Sequence, residues 1–223
     1  FRRSGYKVSS AKFDDAIRLV ESRDPAKTFK LDVEQVDAVR HVTGDTGIAA
    51  VVGLAGAGKS ALLDAARIAW EANGRRVIGA ALAGKAAEGL EGSSGIRSRT
   101  IASWERAWAD GNDQLQKGDV LVVDEAGMVS SEQLARVLKA VESAEAKVVL
   151  VGDPMQLQPI QAGAAFRAIV ERVGFAELTG IRRQKEQWDR NASRLFARGK
   201  LVEALDAYAQ HDRVVEVETR DAA

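Results

Sequence analysis

A glycine-rich segment that ends in lysine and serine carries the most informative chemistry in this sequence. Residues 53–60, Gly-Leu-Ala-Gly-Ala-Gly-Lys-Ser, fit the pattern G-x-x-x-x-G-K-[ST] at every fixed position. Backbone N–H groups can converge on a phosphate only where side chains are absent, and three glycines allow this: Gly53, Gly56 and Gly58. Lys59 would add a positive charge for the β- and γ-phosphates, and the Ser60 hydroxyl would bind Mg²⁺. The segment therefore predicts a nucleoside triphosphate site.

Two adjacent carboxylates supply the second half of such a site. Asp124 and Glu125 follow an apolar run at residues 120–123, which predicts a buried strand. Asp124 would hold Mg²⁺, directly or through water, and Glu125 would orient and deprotonate the attacking water. Successive strand residues point to opposite faces, so the chain must curl here if both carboxylates are to face one nucleotide.

A glutamine side chain follows the end of a third predicted strand. The apolar run at residues 147–151 is followed by Gly152-Asp153-Pro-Met-Gln156. Gln156 would contact the γ-phosphate or its water and so report which nucleotide is bound. The alternative is a proline-containing turn with a solvated glutamine, and the residues alone leave both interpretations open.

The elements that must position these groups alternate between strands and helices. Short apolar runs predict strands at residues 48–52, 76–82, 120–123 and 147–151, with further candidates at 175–178 and 213–218. Helical periodicity predicts helices at residues 12–21, 32–42, 59–73, 84–91, 101–109, 131–142, 163–173, 186–198 and 200–209. Asp32 and Gln35 are spaced as in a capping box. Buried strands joined through helices predict an α/β fold with a mainly parallel sheet that is covered on both faces.

Composition excludes several other classes of protein. The 223 residues include no cysteine and two histidines, which excludes a disulfide scaffold, a thiolate zinc site and a histidine-rich metal cluster. A hydrophobic content of 46% excludes a disordered chain. The uncharged run from Ile48 to Gly58 is far shorter than the roughly twenty residues of a membrane span, so we expect a soluble protein with no membrane contact.

Charge is unevenly distributed along the chain. The 32 basic and 32 acidic residues give a formal net charge of zero. Basic residues are in excess at residues 1–23, 75–106 and 171–200, and acidic residues at 118–170 and 201–223. Solvated faces are the ordinary explanation of such stretches. The position of the basic stretches beside the predicted site also favours contacts with a nucleic-acid backbone.

In their order along the chain, these segments resemble the motifs of superfamily 1 DNA helicases of the RecD-like branch. They are most similar to the helicase part of TraA-type conjugative relaxases. The resemblance covers roughly residues 30–198, and its segments lie at 31–35, 53–60, 83–87, 100–104, 124–128, 152–157 and 178–184.

The resemblance implies roles for individual residues. Gln35 would read the edge of adenine, and an arginine before Gln184 would reach the γ-phosphate. By position we assign that arginine as Arg183, with Arg182 as the alternative. Ala102 stands where the family often has histidine. Five residues would contact single-stranded DNA: Lys85, Arg97, Arg99, Thr100 and Trp104.

The expected DNA contacts combine cations with an aromatic surface. Single-strand binders use basic grooves in which bases stack on aromatic side chains. Trp104 and Trp108 are four residues apart and would share one helix face, either as such a platform or as part of the core. Arg97 and Arg99 are expected in a loop rich in serine and glycine.

The resemblance implies a RecA-like P-loop NTPase fold with three layers, flanked by N- and C-terminal helices. We expect a basic N-terminal segment at residues 1–29, an ATPase lobe at 30–184 and a helical exit segment at 185–223. A motor of this branch needs two such lobes, and we find no later motif after Gln184. The chain is therefore interpreted as the first lobe of a longer protein, with a second lobe after it and a relaxase domain before it.

The resemblance also implies an enzyme that hydrolyses ATP with Mg²⁺ and translocates 5′→3′ on single-stranded DNA in the bacterial cytoplasm. We expect a monomer that binds nucleotide, hydrolyses it poorly in isolation and leaves duplex DNA intact. Two alternatives are a P-loop kinase or other small-molecule NTPase, and a non-catalytic docking module of a DNA-transfer complex. The first would ignore DNA, and the second would not hydrolyse nucleotide.

Overall fold

A computed structural model describes residues 5–24, 26, 28–54, 56–153, 164–179, 188–189, 191–192, 195, 200–211 and 213–214. The chain divides into two compact units, Phe1–Thr179 and Gly180–Ala223. The first unit contains the sheet and the predicted phosphate loop.

Six described strands form one sheet. They are β1 (Ile48–Gly53), β2 (Val77–Ala81), β3 (Ser98–Thr100), β4 (Val120–Val123), β5 (Lys147–Gly152) and β6 (Ala176–Leu178). Their order is β3-β2-β4-β5-β1-β6, and every neighbouring pair runs parallel. The predicted α/β class with a parallel sheet is confirmed. Because the strands point the same way, their carboxyl ends meet at one edge of the sheet.

The helices of the first unit connect these strands or precede them. They are α1 (Ser10–Ser22), α2 (Val33–Val42), α3 (Lys59–Ala72), α4 (Gly84–Ser94), α5 (Ile101–Ala109), α6 (Ser131–Ser143) and α7 (Ala164–Val173), with a 3₁₀ turn at Ala126–Met128. The second unit contains α8 (Leu201–Ala209). In the described part of the chain, no helix combines the length and apolar character that a membrane crossing requires. The helix expected at 186–198 and the strand expected at 213–218 lie largely outside the described residues.

The strand β3 corrects an expectation, because its residues were predicted to lie in a loop. Arg99 lies within β3, and Arg97 directly precedes it. The strand pairs in parallel with β2, and the N–H of Gly79 donates to the carbonyl of Arg97 at 2.8 Å. Its three residues are polar and half-buried, so no apolar run reveals it in the sequence. Pairing with the open edge of β2 is what makes it a strand.

The core lies in two layers, one on each face of the sheet. Val120 and Val122 of β4 pack in one cluster with α1 to α4, whereas Leu121 and Val123 pack in the other with α5 to α7. This alternation is the period of two that a strand imposes on its side chains. Within the first layer, α1 contributes Phe13, so residues of the predicted N-terminal segment belong to the same core as the ATPase lobe.

A buried lysine at the opposite edge of the sheet was not anticipated. Lys147 begins β5 and is fully buried, and its ammonium donates to the carbonyls of Gly44 and Thr46. Burial above all, and the charge of Arg75 after it, lower the pKa of Lys147 from 10.5 to about 7, against the attraction of Asp45. The lysine therefore loses its proton in the folded protein near neutral pH.

The start of the described chain, at residues 5–8, packs over this lysine. The ring of Tyr6 lies 5.6 Å from the Lys147 ammonium, and the Tyr6 hydroxyl donates to the carbonyls of Glu145 and Ala146. The Asp45 carboxylate accepts hydrogen bonds from the backbone N–H groups of Gly5 and Tyr6. These contacts hold the start of the described chain against the amino edge of the sheet.

The buried lysine predicts a pH dependence of stability. Between pH 7 and about 10 the unfolded chain holds a proton on Lys147 that the folded chain has released, so the free energy of unfolding rises with pH. The contribution is at most about 1.4 kcal/mol per pH unit. Lys147→Met removes it and keeps an unbranched side chain. Urea denaturation at pH 7, 8 and 9 should show the wild type gaining stability relative to Lys147→Met as pH rises.

The control for exchanging a lysine for methionine is Lys139→Met, at an exposed position on α6. A stability difference between wild type and Lys147→Met that stays constant over this pH range would contradict the prediction.

Candidate nucleotide site

The phosphate loop connects β1 to α3 at the carboxyl edge of the sheet. Gly58 is the N-cap of α3 and has a φ of 82°, in the left-handed region that residues with a Cβ rarely adopt. Gly53 ends β1, and a Cβ added there would lie 3.1 Å from the Cβ of Leu178. The left-handed backbone thus requires glycine at position 58, and the close approach of β6 favours glycine at position 53. The loop they allow leads directly into the N-terminus of a 14-residue helix, which favours anions.

Lys59 and Ser60 are the first two residues of α3. The Lys59 side chain is half-buried, and its ammonium donates to the carbonyl of Gly53 at 2.9 Å. It therefore folds back across the loop, while Ser60 is exposed. The structure places a cation, a hydroxyl and a helix N-terminus together, as the sequence pattern predicted.

The acidic pair lies at the same edge, at the end of β4. Asp124 follows the strand, and its backbone N–H donates to the carbonyl of Ala80 at 2.9 Å. Glu125 has φ 52° and ψ 35°, so the chain makes the curl that the two carboxylates require. A left-handed conformation costs a residue other than glycine about 1 kcal/mol. The Asp124 carboxylate stabilises it by accepting the N–H of Glu125 at 2.9 Å.

Two glycines let the ends of β4 and β5 approach closely. A Cβ on Gly127 would lie 2.9 Å from the carbonyl oxygen of Asp153, and one on Gly152 would lie 3.0 Å from the backbone nitrogen of Gly127. The ring of Phe166 lies 3.2 Å from the same point on Gly152. The sequence contains these glycines within the acidic and amide motifs, but their contact across two strands is visible only in the structure. Gln156, which follows Asp153 by three residues, lies outside the described residues.

The oxygen donors fit magnesium bound together with a nucleotide. In the described part of the chain, no three His, Cys, Asp or Glu side chains are grouped so that they could hold a metal. Asp124 and Ser60 offer one carboxylate and one hydroxyl. Mg²⁺ is commonly held by one or two carboxylates, substrate phosphates and several waters rather than by a cage of protein ligands. The residues present therefore suit Mg²⁺ delivered with phosphates.

Gln35, which was expected to read the edge of adenine, bonds within the protein in this structure. Asp32 and Gln35 form the predicted capping box at the start of α2, in which Asp32 accepts the Gln35 N–H at 2.8 Å and donates its own N–H to Gln35 Oε1 at 3.1 Å. Gln35 Nε2 donates to the carbonyl of Gly58 at 3.0 Å. Gln35 is 1% exposed. Its contact with adenine stays a prediction.

The structure also corrects the role expected of Trp104. Its side chain is 1% exposed, and its indole N–H donates to the carbonyl of Gly79 at 2.7 Å. Trp108 stacks on it with ring centroids 6.2 Å apart, so the two share a helix face as predicted. Because a buried ring offers no surface for a nucleobase, Trp104 belongs to the core, which was the alternative interpretation.

Among the other predicted DNA contacts, three residues bond within the protein and Lys85 is exposed. Arg99 pairs with Asp113 at 2.9 Å and lies over the Trp104 ring at 4.5 Å. Arg97 reaches the same carboxylate at 3.8 Å. The Thr100 hydroxyl is the N-cap of α5 and accepts a backbone N–H at 3.1 Å. Lys85 is exposed, as the second residue of α4 at the carboxyl end of β2.

The strand end β6 carries an anchor that sequence reasoning missed. The Glu34 carboxylate accepts both the backbone N–H and the hydroxyl of Thr179, at 2.9 and 2.5 Å. Thr179 belongs to the segment 178–184, whose Arg182 and Arg183 were proposed to reach the γ-phosphate, and both arginines lie outside the described residues. The signal for this contact in the sequence was Glu34, the acidic residue next to Gln35 in the motif at 31–35.

Comparison with known proteins gives matches across this whole region. The AAA domain family matches residues 30–219. A probable conjugal transfer protein TraA of Sinorhizobium fredii is 54% identical over 194 residues, which cover 87% of this chain and 18% of that protein. The ATP-dependent RecD2 DNA helicase of Deinococcus radiodurans is 32% identical over 168 residues, which cover 72% of this chain and 23% of that protein. The chain thus spans about a fifth of the length of these relatives.

Among solved structures, the Pif1 helicase from Candida albicans matches with a TM-score of 0.61 at 19% identity. The match covers 85% of this chain and 49% of that one, and at this identity it supports the fold alone. Together with the phosphate loop and the acidic strand end, the family match shows that the chain belongs to the AAA domain family, in which it is similar to RecD-like helicases and TraA conjugal transfer proteins.

Proposed function

We propose that this chain is the first ATPase lobe of a DNA-translocating motor in a conjugal transfer protein. One observation carries the proposal: the phosphate loop and the curled Asp124–Glu125 pair lie at the same edge of one parallel sheet. The relatives named as a conjugal transfer protein and as a DNA helicase support the same interpretation.

The sheet order gives the site its dimensions. The strand β5 lies between β1 and β4, so neighbouring strands about 4.8 Å apart put the phosphate loop and Asp124 about 10 Å from each other. That gap suits a terminal phosphate, its metal ion and a water molecule. Gln156 follows the intervening strand β5 along the chain.

Within this gap, each residue has a distinct task. Mg²⁺ bound there would supply positive charge that neutralises the phosphates. The N–H groups at the start of α3 bind phosphate oxygens, and Lys59 exchanges its bond with the Gly53 carbonyl for one with phosphate. Ser60 and Asp124 hold the metal ion. Glu125 orients the attacking water and takes its proton.

The remaining parts of the motor are proposed from the resemblance. Arg183, or alternatively Arg182, stabilises charge on the transferred phosphate, and Gln156 senses it. Lys85, exposed at the carboxyl end of β2, contacts the backbone of single-stranded DNA. A second lobe and a relaxase domain in the same longer protein complete the machine, which translocates 5′→3′.

The first prediction concerns nucleotide binding by this chain. Lys59→Ala should weaken Mg·ATP binding at least tenfold in isothermal titration calorimetry, because it removes the cation that faces the phosphates. Lys139→Ala, which removes an exposed lysine from α6, is the matched control. Equal affinities for Lys59→Ala and wild type would show that the assigned loop is not the nucleotide site.

The second prediction separates binding from hydrolysis. Glu125→Gln keeps the size of the side chain but removes the general base, so kcat for ATP should fall about 100-fold or more in the longer protein. The affinity for Mg·ATP should stay within a few-fold of wild type. Hydrolysis at the wild-type rate would exclude Glu125 as the base.

The third prediction tests the nucleic-acid substrate. In the longer protein, single-stranded DNA should stimulate ATP hydrolysis, and Lys85→Ala should raise the DNA concentration needed for half-maximal stimulation. Lys12→Ala, on α1, is the control for loss of a lysine. A rate of ATP hydrolysis that does not change when DNA is added would favour a small-molecule NTPase. Unwinding of duplex DNA by the isolated chain would contradict the assignment of a single lobe.

A further inference from the structure

A groove opens between α6 and α7, on the face of the sheet opposite α3. Helix α6 packs on β5 and α7 packs on β1, and these two strands are neighbours in the sheet. Ile48, the first residue of β1, lines the groove between the helices. The groove has a volume of about 840 Å³, which lies within the range of small-molecule sites, roughly 300–1,000 Å³.

The walls of the groove are apolar and are fixed by packing. Leu138 of α6 forms one wall, and Ile169 and Val173 of α7 form the other. All three are partly buried and pack against the core layer on this face of the sheet. Ala168, beside Ile169, also lines the groove, and its small side chain leaves room for an occupant. Such walls can enclose the apolar body of a ligand.

Two polar side chains lie together at one end of the groove. Thr46 precedes β1, so it lies at the amino edge of the sheet. Arg172 lies in the last turn of α7, which runs back from the end of β5 to the start of β6 and so ends at the same edge. Ile169 lies about 5 Å farther from this edge along the helix axis. The groove is therefore polar at the amino edge and apolar beyond it.

In the described part of the chain, neither of these polar side chains forms a hydrogen bond or an ion pair. Among the described residues that line the groove, Arg172 alone is charged. Because this charge is positive, the groove complements an anion. A guanidinium binds a carboxylate through two parallel N–H···O bonds, and the Thr46 hydroxyl can donate a third. The polar end of the groove therefore suits a carboxylate.

We propose that the groove between α6 and α7 is a binding site for an amphipathic carboxylic acid, whose carboxylate pairs with Arg172 and whose aliphatic or aromatic body lies against Leu138 and Ile169. This site is distinct from the nucleotide site. Ile48 and Gly53 are five residues apart along β1, so the floor of the groove lies about 16 Å from the phosphate loop. The two sites should bind their ligands independently, and failure of one assignment leaves the other standing.

The test measures the binding of two probes with the same alkyl chain and opposite charge, decanoate and decyltrimethylammonium, by isothermal titration calorimetry below their micelle concentrations. Decanoate should bind the wild type at least about tenfold more tightly, since the charge-assisted hydrogen bonds form only with the anion. Arg172→Gln should remove this preference, chiefly by weakening the binding of decanoate. Arg167→Gln is the matched control, because it removes an exposed arginine of α7 that does not line the groove.

A second variant tests the apolar wall. Ala168→Trp fills the groove from an exposed position on α7, so it should weaken the binding of both probes at least about fivefold. The affinity for Mg·ATP should be the same with and without decanoate.

Three results would overturn the proposal. Equal affinity of the wild type for the two probes, or decanoate binding that Arg172→Gln and Ala168→Trp leave unchanged, would indicate general adsorption to apolar surface. Absence of decanoate binding would reject the site directly. A dimer in sedimentation velocity that Ala168→Trp dissociates would instead assign the groove to contact between two copies of this chain.

Discussion

The parallel alignment of the strands is the constraint on which the rest of the structure depends. It brings the carboxyl ends of β1, β4 and β5 to one edge, and it makes each connection return through a helix that covers a face of the sheet. Chemistry therefore concentrates at one edge, where the glycine loop and the acidic pair lie. The opposite edge is closed by the contacts among Tyr6, Asp45 and Lys147.

At the carboxyl edge of the sheet, irregular backbone segments position the residues of the candidate site, and the neighbouring helices and strands hold these segments in place. Gly58 and Glu125 are both left-handed, and each is stabilised by a hydrogen bond from a neighbour: Gln35 to the Gly58 carbonyl, and the Glu125 N–H to Asp124. The contact between Gly127 and Gly152 ties two strand ends together. Strained or open conformations persist at functional sites when the surrounding packing over-determines them.

The charge pattern acquires a different meaning once the fold is known. The basic stretch at residues 75–106 suggested a surface for nucleic acid, yet several of its cations have partners within the protein. Arg76 pairs with the buried Asp119, and Arg97 and Arg99 share Asp113. These bridges join residues that are far apart in sequence, so a running sum of charge cannot detect them. Lys85 is exposed at the carboxyl end of β2, and its contact with DNA stays a prediction.

By itself, the sequence determined the elements and the type of chemistry, because strand burial, helix periodicity and a fixed glycine-lysine spacing are local properties. It predicted the parallel α/β sheet, the phosphate loop, the capping box at Asp32 and the curl at Glu125. The tertiary structure decided which neighbour each side chain meets. It buried Trp104 under Gly79, turned Gln35 toward Gly58, and placed Lys147 among backbone carbonyls. Such contacts depend on distances between segments that are remote along the chain, and no local pattern encodes them.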